Sequence, residues 1–225
     1  MSVEMTRNIL TLIDIEKVGD DYYIFNFEMP EGIVFKEGQY GSFKHVDKEI
    51  EGRKVRALSY ASGTKEKIFK IGTKIIEKPS DFKAKMLELQ PGDKMTVDGP
   101  LGDFTLEADY NCVFLAAGIG ITPMRGLLKQ LEGLNYTKEA TLVHAEHRQF
   151  YCFVDDFSKM KNVNVKYEKT GENMKSTAAI MGAKYKNDAF YYISGNPGYV
   201  TAVTSILQGE GVDPKQIKFD KFTGY

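Results

Sequence analysis

Two short runs hold the residue types most suited to binding a charged ligand. Phe114 to Ala117 is apolar and leads into Gly118-Ile119-Gly120-Ile121-Thr122-Pro123-Met124. Glycines at that spacing permit a tight turn with no side chain between main chain and ligand, as close approach to a pyrophosphate requires. Thr122 suits a helix N-cap, and Pro123 the first helical position, where its missing N–H costs nothing. Met124, Leu127, Leu128 and Leu131 recur at helical spacing, so free amides and a positive dipole end are predicted at the turn. The second run, Tyr191-Tyr192-Ile193-Ser194-Gly195-Asn196-Pro197, again reads as a strand, a small-residue turn and a helix start. The first turn alone is equally well a structural connection, since it lacks the third glycine of the usual dinucleotide fingerprint. Together the two turns can line one crevice at the carboxyl edge of a parallel sheet.

The elements that must position these turns fall into two textures. Up to about Leu106 the chain reads as short β segments, at 9–15, 22–27, 39–44, 55–60, 68–73 and 94–98, broken by Gly and Pro. Tyr22 with Ile24, and Tyr40 with Ser42, show the period of two of a sheet, and the set predicts an antiparallel barrel or sandwich. Within it Ser80 is positioned to cap a short helix, 81–89, with Phe82, Met86 and Leu89 on one face. After Tyr110, apolar strands at 112–117, 141–144, 163–167 and 190–194 alternate with helical stretches, the pattern of βαβ units around a parallel sheet. Two domains are expected, 1–107 and 108–225, with the active site in the cleft between them.

Composition narrows the partners. Thirty basic against thirty-one acidic residues leave a formal charge of -1, which argues against a general nucleic-acid binder. With 42% hydrophobic and 27% charged residues the chain is expected to fold around a core. Cys112 and Cys152 are its only cysteines, too few for a four-cysteine iron–sulfur cluster, and they suit reduced thiols in a cytoplasmic protein. The N-terminus lacks the apolar stretch of a secretory signal, and no apolar run is long enough to span a membrane. His144, His147 and Cys152 read as ordinary residues rather than metal ligands, because a strand puts residues three apart on opposite faces. No metal is expected.

These motifs, taken in order, resemble those of the ferredoxin–NADP reductase superfamily. Arg56-Ala57-Leu58-Ser59 resembles its Arg-x-Tyr-Ser/Thr flavin motif, and Gly99 to Phe104 the Gly-Pro-x-Gly-x-Phe that closes its barrel. Gly118 to Pro123 is similar to its Gly-x-Gly-x-Thr-Pro, Ser194 to Pro197 to its nicotinamide-side turn, and Phe222 to Tyr225 to the ending of many bacterial members. The resemblance covers nearly the whole chain, and five motifs in order are far more specific than any one.

The resemblance implies an FAD-binding β-barrel followed by an NAD(P)-binding α/β domain. It implies that Arg56 pairs with a flavin phosphate and that Ser59 lies at the edge of the ring where hydride arrives. Lys78, Pro79 and Ser80 would form a second phosphate-binding turn, favouring FAD over FMN, with Ile71, Gly72 and Thr73 passing beside the cofactor. Tyr225 would be a terminal ring that swings off the flavin face to admit nicotinamide. Leu58 stands where the family has a stacking Tyr, so the ring is covered either by aliphatic contact or by Tyr60. Ser194 replaces a frequent Cys. Beyond 141–145, Glu146 favours a ribose diol and Arg148 a 2′-phosphate, which leaves NADH and NADPH both open.

Electrons are expected to pass to a ferredoxin, a flavodoxin or a partner subunit. The alternatives are a flavin reductase that uses free flavin as substrate, and a non-catalytic flavin-binding redox sensor or docking subunit. Lys83, Lys85, Lys218 and Lys221 read as solvated, or as a docking face for an acidic carrier.

Overall fold

A computed structural model describes residues 4–134 and 136–223. Strands β1 (Thr6–Val18), β2 (Tyr22–Glu28), β3 (Tyr40–His45), β4 (Arg56–Ser59), β5 (Ile68–Lys74) and β6 (Lys94–Leu101) form one antiparallel sheet in the order β4-β3-β6-β1-β2-β5. An antiparallel bridge from Tyr60 to Ile71 draws its two edges together, so the sheet curls into a nearly closed barrel. Alternation explains the filling. Phe25 and Phe27 of β2, with Phe69 and Ile71 of β5, enter the barrel core, while Tyr22 and Ile24 face the other way into a second core shared with the α/β domain. Because both faces of β2 are covered, its period of two is only partly visible as polarity.

Helix α1 (Asp81–Leu87) closes one end of the barrel with Phe82 and Met86, and stops two residues short of the predicted Leu89. Ser80 occupies its N-cap position, but its hydroxyl makes no capping hydrogen bond.

The chain crosses to the second sheet between Leu101 and Asn111. There β7 (Asn111–Ala117), β8 (Ala140–Ala145), β9 (Val163–Glu168), β10 (Ala189–Gly195) and β11 (Ile217–Lys221) run parallel in the order β11-β10-β7-β8-β9. Helix α2 (Ile121–Glu132) lies on the barrel side of this sheet, and α4 (Gly171–Tyr185) and α5 (Pro197–Gly209) cover the opposite face; α3 (Val154–Ser158) is a short helix before β9. From β7 the chain winds outward through β8 and β9, then returns to β10 on the other side of β7. The order therefore reverses between β7 and β10, where open parallel sheets leave a crevice.

One buried cation ties the halves together. Arg125 on α2 is 1% exposed. It makes two bonds to Glu66 at 2.7 and 2.8 Å, one to the Ala61 carbonyl at 2.8 Å, and two to Asp156 of α3 at 2.8 and 3.1 Å. No helix of the described residues is long and apolar enough to cross a membrane, and no cluster of metal-ligating residues occurs among them.

Candidate active site in the cleft between the sheets

The barrel contributes a cationic trough. Arg56 opens β4 beside Phe82, whose ring lies 5.4 Å from the guanidinium, and donates to the Arg53 and Val55 carbonyls at 2.7 and 3.0 Å. Burial, then the nearby Arg53 charge, lowers its pKa, yet a guanidinium stays protonated. Among the described residues no carboxylate pairs with it. Arg56, Arg53, Lys83 and Thr223 line two adjoining cavities of about 260 and 330 Å³. Lys74, Lys78, Pro79 and Ser80 complete the larger one, whose described lining includes no acidic residue. A basic trough of that length suits a chain of phosphates.

Lys83 corrects the expectation of a solvated lysine. It is 7% exposed and donates to the Lys74 carbonyl at 2.7 Å. Burial, followed by the charges of Arg56 and Lys74, pushes its ammonium down to about 8. The other three lysines are also engaged: Lys85 with Glu88, Lys218 with Glu107 and the Thr105 carbonyl, and Lys221 over the Phe219 ring.

The smaller cavity has a mixed lining. Ala57, Leu58 and Ile119 offer apolar surface, Tyr40, Ser59 and Thr73 polar groups, and Asp220 to Thr223 cross it from the second domain. Tyr60 is corrected as a stacking residue: it is 1% exposed, and its ring meets those of Phe35 and Phe69 edge-on at 5.3 and 4.9 Å inside the barrel. Leu58 on β4 lines the cavity while packing partly against the barrel core, whereas Tyr60, past the end of β4 and bridged to Ile71, is wholly inside that core. Ile71 likewise buries its side chain in the core and leaves only its main chain for a ligand. Gly72 faces the second domain, and a Cβ on it would lie 2.6 Å from Thr122 Oγ1.

At the far wall Ser59 donates to Asp220 Oδ2 at 2.9 Å, a bond between residues 161 apart. Burial pushes the Asp220 carboxyl up to about 6, although the Ser59 bond pulls the other way. Neither Asp220 nor the strand that carries it is signalled by the sequence. Strand β11 is a five-residue edge strand with mixed exposure and no apolar run, so only its parallel pairing with β10, Ser194 opposite Asp220, reveals its place.

The α/β domain contributes main chain. Gly118 to Gly120 form a 3-10 turn that leads directly into α2 at Ile121. Thr122 and Pro123 therefore lie inside the helix rather than at its cap and first position, and the Thr122 hydroxyl bonds back to the Ile119 carbonyl at 2.8 Å. Gly120 is required by contact: a Cβ there would fall 2.3 Å from the Ser194 carbonyl oxygen. Gly118 holds a φ of +55°, and a Cβ on it would meet the Tyr22 hydroxyl at 2.8 Å. Opposite, Ser194 is fully buried with its hydroxyl unpartnered among the described residues. Asn196 caps α5 by accepting the Tyr199 amide at 2.9 Å, with Pro197 at the first turn. The two turns flank the point where the strand order reverses, and Phe222 N–H donates to the Gly195 carbonyl at 2.9 Å.

Arg148 does not stand ready for a phosphate. It donates to Asp21 of the barrel at 2.6 Å and lies over the Tyr22 ring at 5.3 Å. Glu146 is 3% exposed and accepts the Tyr22 hydroxyl and the Arg148 amide. Burial raises the Glu146 pKa, but these bonds and the Arg148 charge outweigh it and hold the carboxyl below its usual range. The pair read as a discriminator of nucleotides is an interdomain latch, since its partners lie more than 120 residues upstream. Tyr225 lies outside the described residues.

No family model matches the chain. It is 27% identical over 229 aligned positions to a subunit of the Na(+)-translocating NADH-quinone reductase of Pasteurella multocida, an alignment covering 88% of this chain and 56% of that protein. The corresponding protein of Neisseria meningitidis is similar at the same identity and coverage. The chain thus spans about half the length of the curated relatives it matches. The ferredoxin-NADP+ reductase of Plasmodium falciparum superposes with a TM-score of 0.81 over 96% of both chains at 17% identity. That of Neisseria gonorrhoeae, solved with bound FAD and NADP, gives 0.78 over 97% of this chain and 99% of its own at 18% identity.

Proposed function

We propose that this chain, which has the ferredoxin–NADP reductase fold, is a flavin-dependent oxidoreductase module that takes hydride from a nicotinamide dinucleotide and passes electrons to a carrier protein or partner subunit. The observation that carries this reading is the meeting, at one cleft, of a cationic trough on the barrel with two main-chain turns at the reversal point of the parallel sheet. FAD, when bound, supplies a ring that accepts two electrons as hydride and releases them singly. Everything else falls to the protein.

The donor set fits that cofactor. Arg56, Arg53 and Lys83 hold its phosphates, and the continuation of the trough to Lys74, Lys78 and Ser80 favours a dinucleotide over a mononucleotide. Leu58 and Ile119 supply apolar cover, and Ser59 a hydroxyl whose direction Asp220 sets. Above pH 6 the ionised Asp220 keeps the Ser59 proton directed at Oδ2; below it the protonated carboxyl becomes a donor itself. Gly118 to Pro123 and Ser194 to Pro197 seat the pyrophosphate and nicotinamide ends of the reductant, using amides and a helix dipole. Because Arg148 is spent on Asp21, the end of β8 offers no cation to a 2′-phosphate, which favours NADH.

Anaerobic titration of the purified protein with NADH and, separately, NADPH, read in the flavin visible spectrum, tests donor and competence together. Stoichiometric bleaching by NADH ahead of NADPH is expected. Protein that is colourless and binds no added flavin overturns the reading, and rapid turnover of flavin that never stays bound makes flavin a substrate instead.

A further inference from the structure

His144 lies on β8, paired with Ala116 of β7 and Tyr167 of β9, and its side chain is 0% exposed. Its Nε2 is 2.9 Å from the Gly118 carbonyl oxygen, while Nδ1 is buried with no partner among the described residues. A carbonyl only accepts, so Nε2 carries the proton, and Nδ1, buried with no acceptor among the described residues, is best left bare in a neutral ring. The groups around it keep it so. Tyr151 and Tyr167 pack against the ring at 5.3 and 6.4 Å, and burial outweighs the Gly118 bond and the Glu146 charge, pushing the imidazole down to about 4. An apolar residue would fill this space without stranding Nδ1, and the stranded nitrogen is tolerated only in exchange for the bond to Gly118.

That bond fixes more than one oxygen. In a trans peptide the C=O of residue 118 and the N–H of residue 119 point in opposite directions. Holding the Gly118 carbonyl toward His144 therefore aims the Ile119 amide away from it. Ile119 lines the cleft cavity, and its amide, at the opening of the turn, has no partner within the helix. The same carbonyl also accepts the Ile121 amide, so the grip of His144 extends to the first residue of α2.

We propose that His144 is a positioning residue for the dinucleotide turn, an Nε2–H donor that clamps the Gly118 carbonyl and thereby presents the Ile119 amide to the pyrophosphate of the bound reductant. The pyrophosphate half of this inference rests on the function proposed above; the clamp itself does not.

In flavin-loaded protein, His144→Phe is expected to raise the KM for NADH about tenfold, the effect of one lost hydrogen bond, with kcat within about twofold and flavin retention unchanged. His144→Gln, which keeps an N–H donor, should recover most of that loss. An unchanged KM in the Phe variant, or a Gln variant as impaired as Phe, overturns the role in nucleotide binding. Nitrogen NMR of the wild type should show His144 as the neutral Nε2–H tautomer from pH 5.5 to 8, and an imidazolium signal in that range overturns the clamp. If the wild type takes no electrons from either nucleotide, the functional reading falls, while hydrogen exchange still decides the clamp. The Ile121 amide should exchange about tenfold faster in the Phe variant than in the wild type or the Gln variant, and equal exchange in wild type and Phe overturns it.

Discussion

The two walls of the cleft grip their ligands by different means. On the barrel the charge is carried by long side chains: Arg53, Arg56, Lys74, Lys78 and Lys83 line the trough, with Lys83 and Arg56 partly stripped of water. On the α/β side Lys221 of β11 reaches the cavity, but the glycine turns bring no side-chain charge; their attraction comes from amides and a helix dipole, and their essential residues are those without side chains. A wall of desolvated cations binds a polyanion tightly and holds it. A wall of backbone dipoles carries only fractional charge, so it binds more weakly and lets its ligand exchange. The contrast matches the proposed division between a resident cofactor and a reductant that must leave after each turnover.

Substitutions can break the contrast one wall at a time. The largest effect is expected where the walls are joined: Arg125→Met strands Glu66 and Asp156 and should cost about 3–5 kcal/mol of stability, read as a fall in the urea midpoint. Gly120→Ala forces a methyl against the Ser194 main chain, which has no rotamer to yield. It should slow flavin reduction by NADH about a hundredfold, about 3 kcal/mol, with flavin retention intact. Arg56→Ala attacks the opposite wall and should weaken flavin binding by about 2 kcal/mol, or some thirtyfold, while nucleotide binding is kept. Loss of both ligands in either variant would show that the walls are not independent.

The smallest effect lies at the junction. The Asp220 pKa is raised from 3.8 to about 6 in the folded protein, so its ionised form burdens the fold. Wild type should therefore be fully relieved of that burden below pH 4, lose stability as pH rises toward 6, and stay level above. Asp220→Asn should match wild type near pH 4 and exceed it by about 1–2 kcal/mol above pH 6.5, a range reduced for partial exposure. Parallel pH profiles would remove Asp220 as a buried acid.

The features legible from sequence are those settled within a few residues. Gly118, Gly120 and the apolar run before them specify a strand, a turn and a helix from local sterics alone, and Arg56 stands out through its motif. What escaped depends on contacts distant in the chain. Lys83 looks solvated until α1 folds over the barrel end, and Arg148 looks available until Asp21 and Tyr22 arrive from the first hairpin. Tyr60 is drawn into the barrel core by a bridge to Ile71 that closes the barrel, a contact that its neighbours in the sequence do not announce. Asp220 needs an edge strand that pairs in parallel across the whole α/β domain, and five residues of mixed polarity do not announce it.

The contact of Gly120 with the Ser194 main chain has a bearing on how this molecule can change over time. Touching side chains can be exchanged by paired substitutions, one enlarging as its neighbour shrinks. Two stretches of backbone in contact have no such currency. Any residue at 120 that carries a Cβ must move the peptide after Ser194, and no replacement at 194 makes room for it. Position 120 is thereby withdrawn from drift for as long as the two loops share the crevice, whatever reductant occupies it. Leu58, on a wall made of side chains, is under no such arrest, which gives a physical reason why this chain departs from the familiar flavin motif there and keeps the glycine turn.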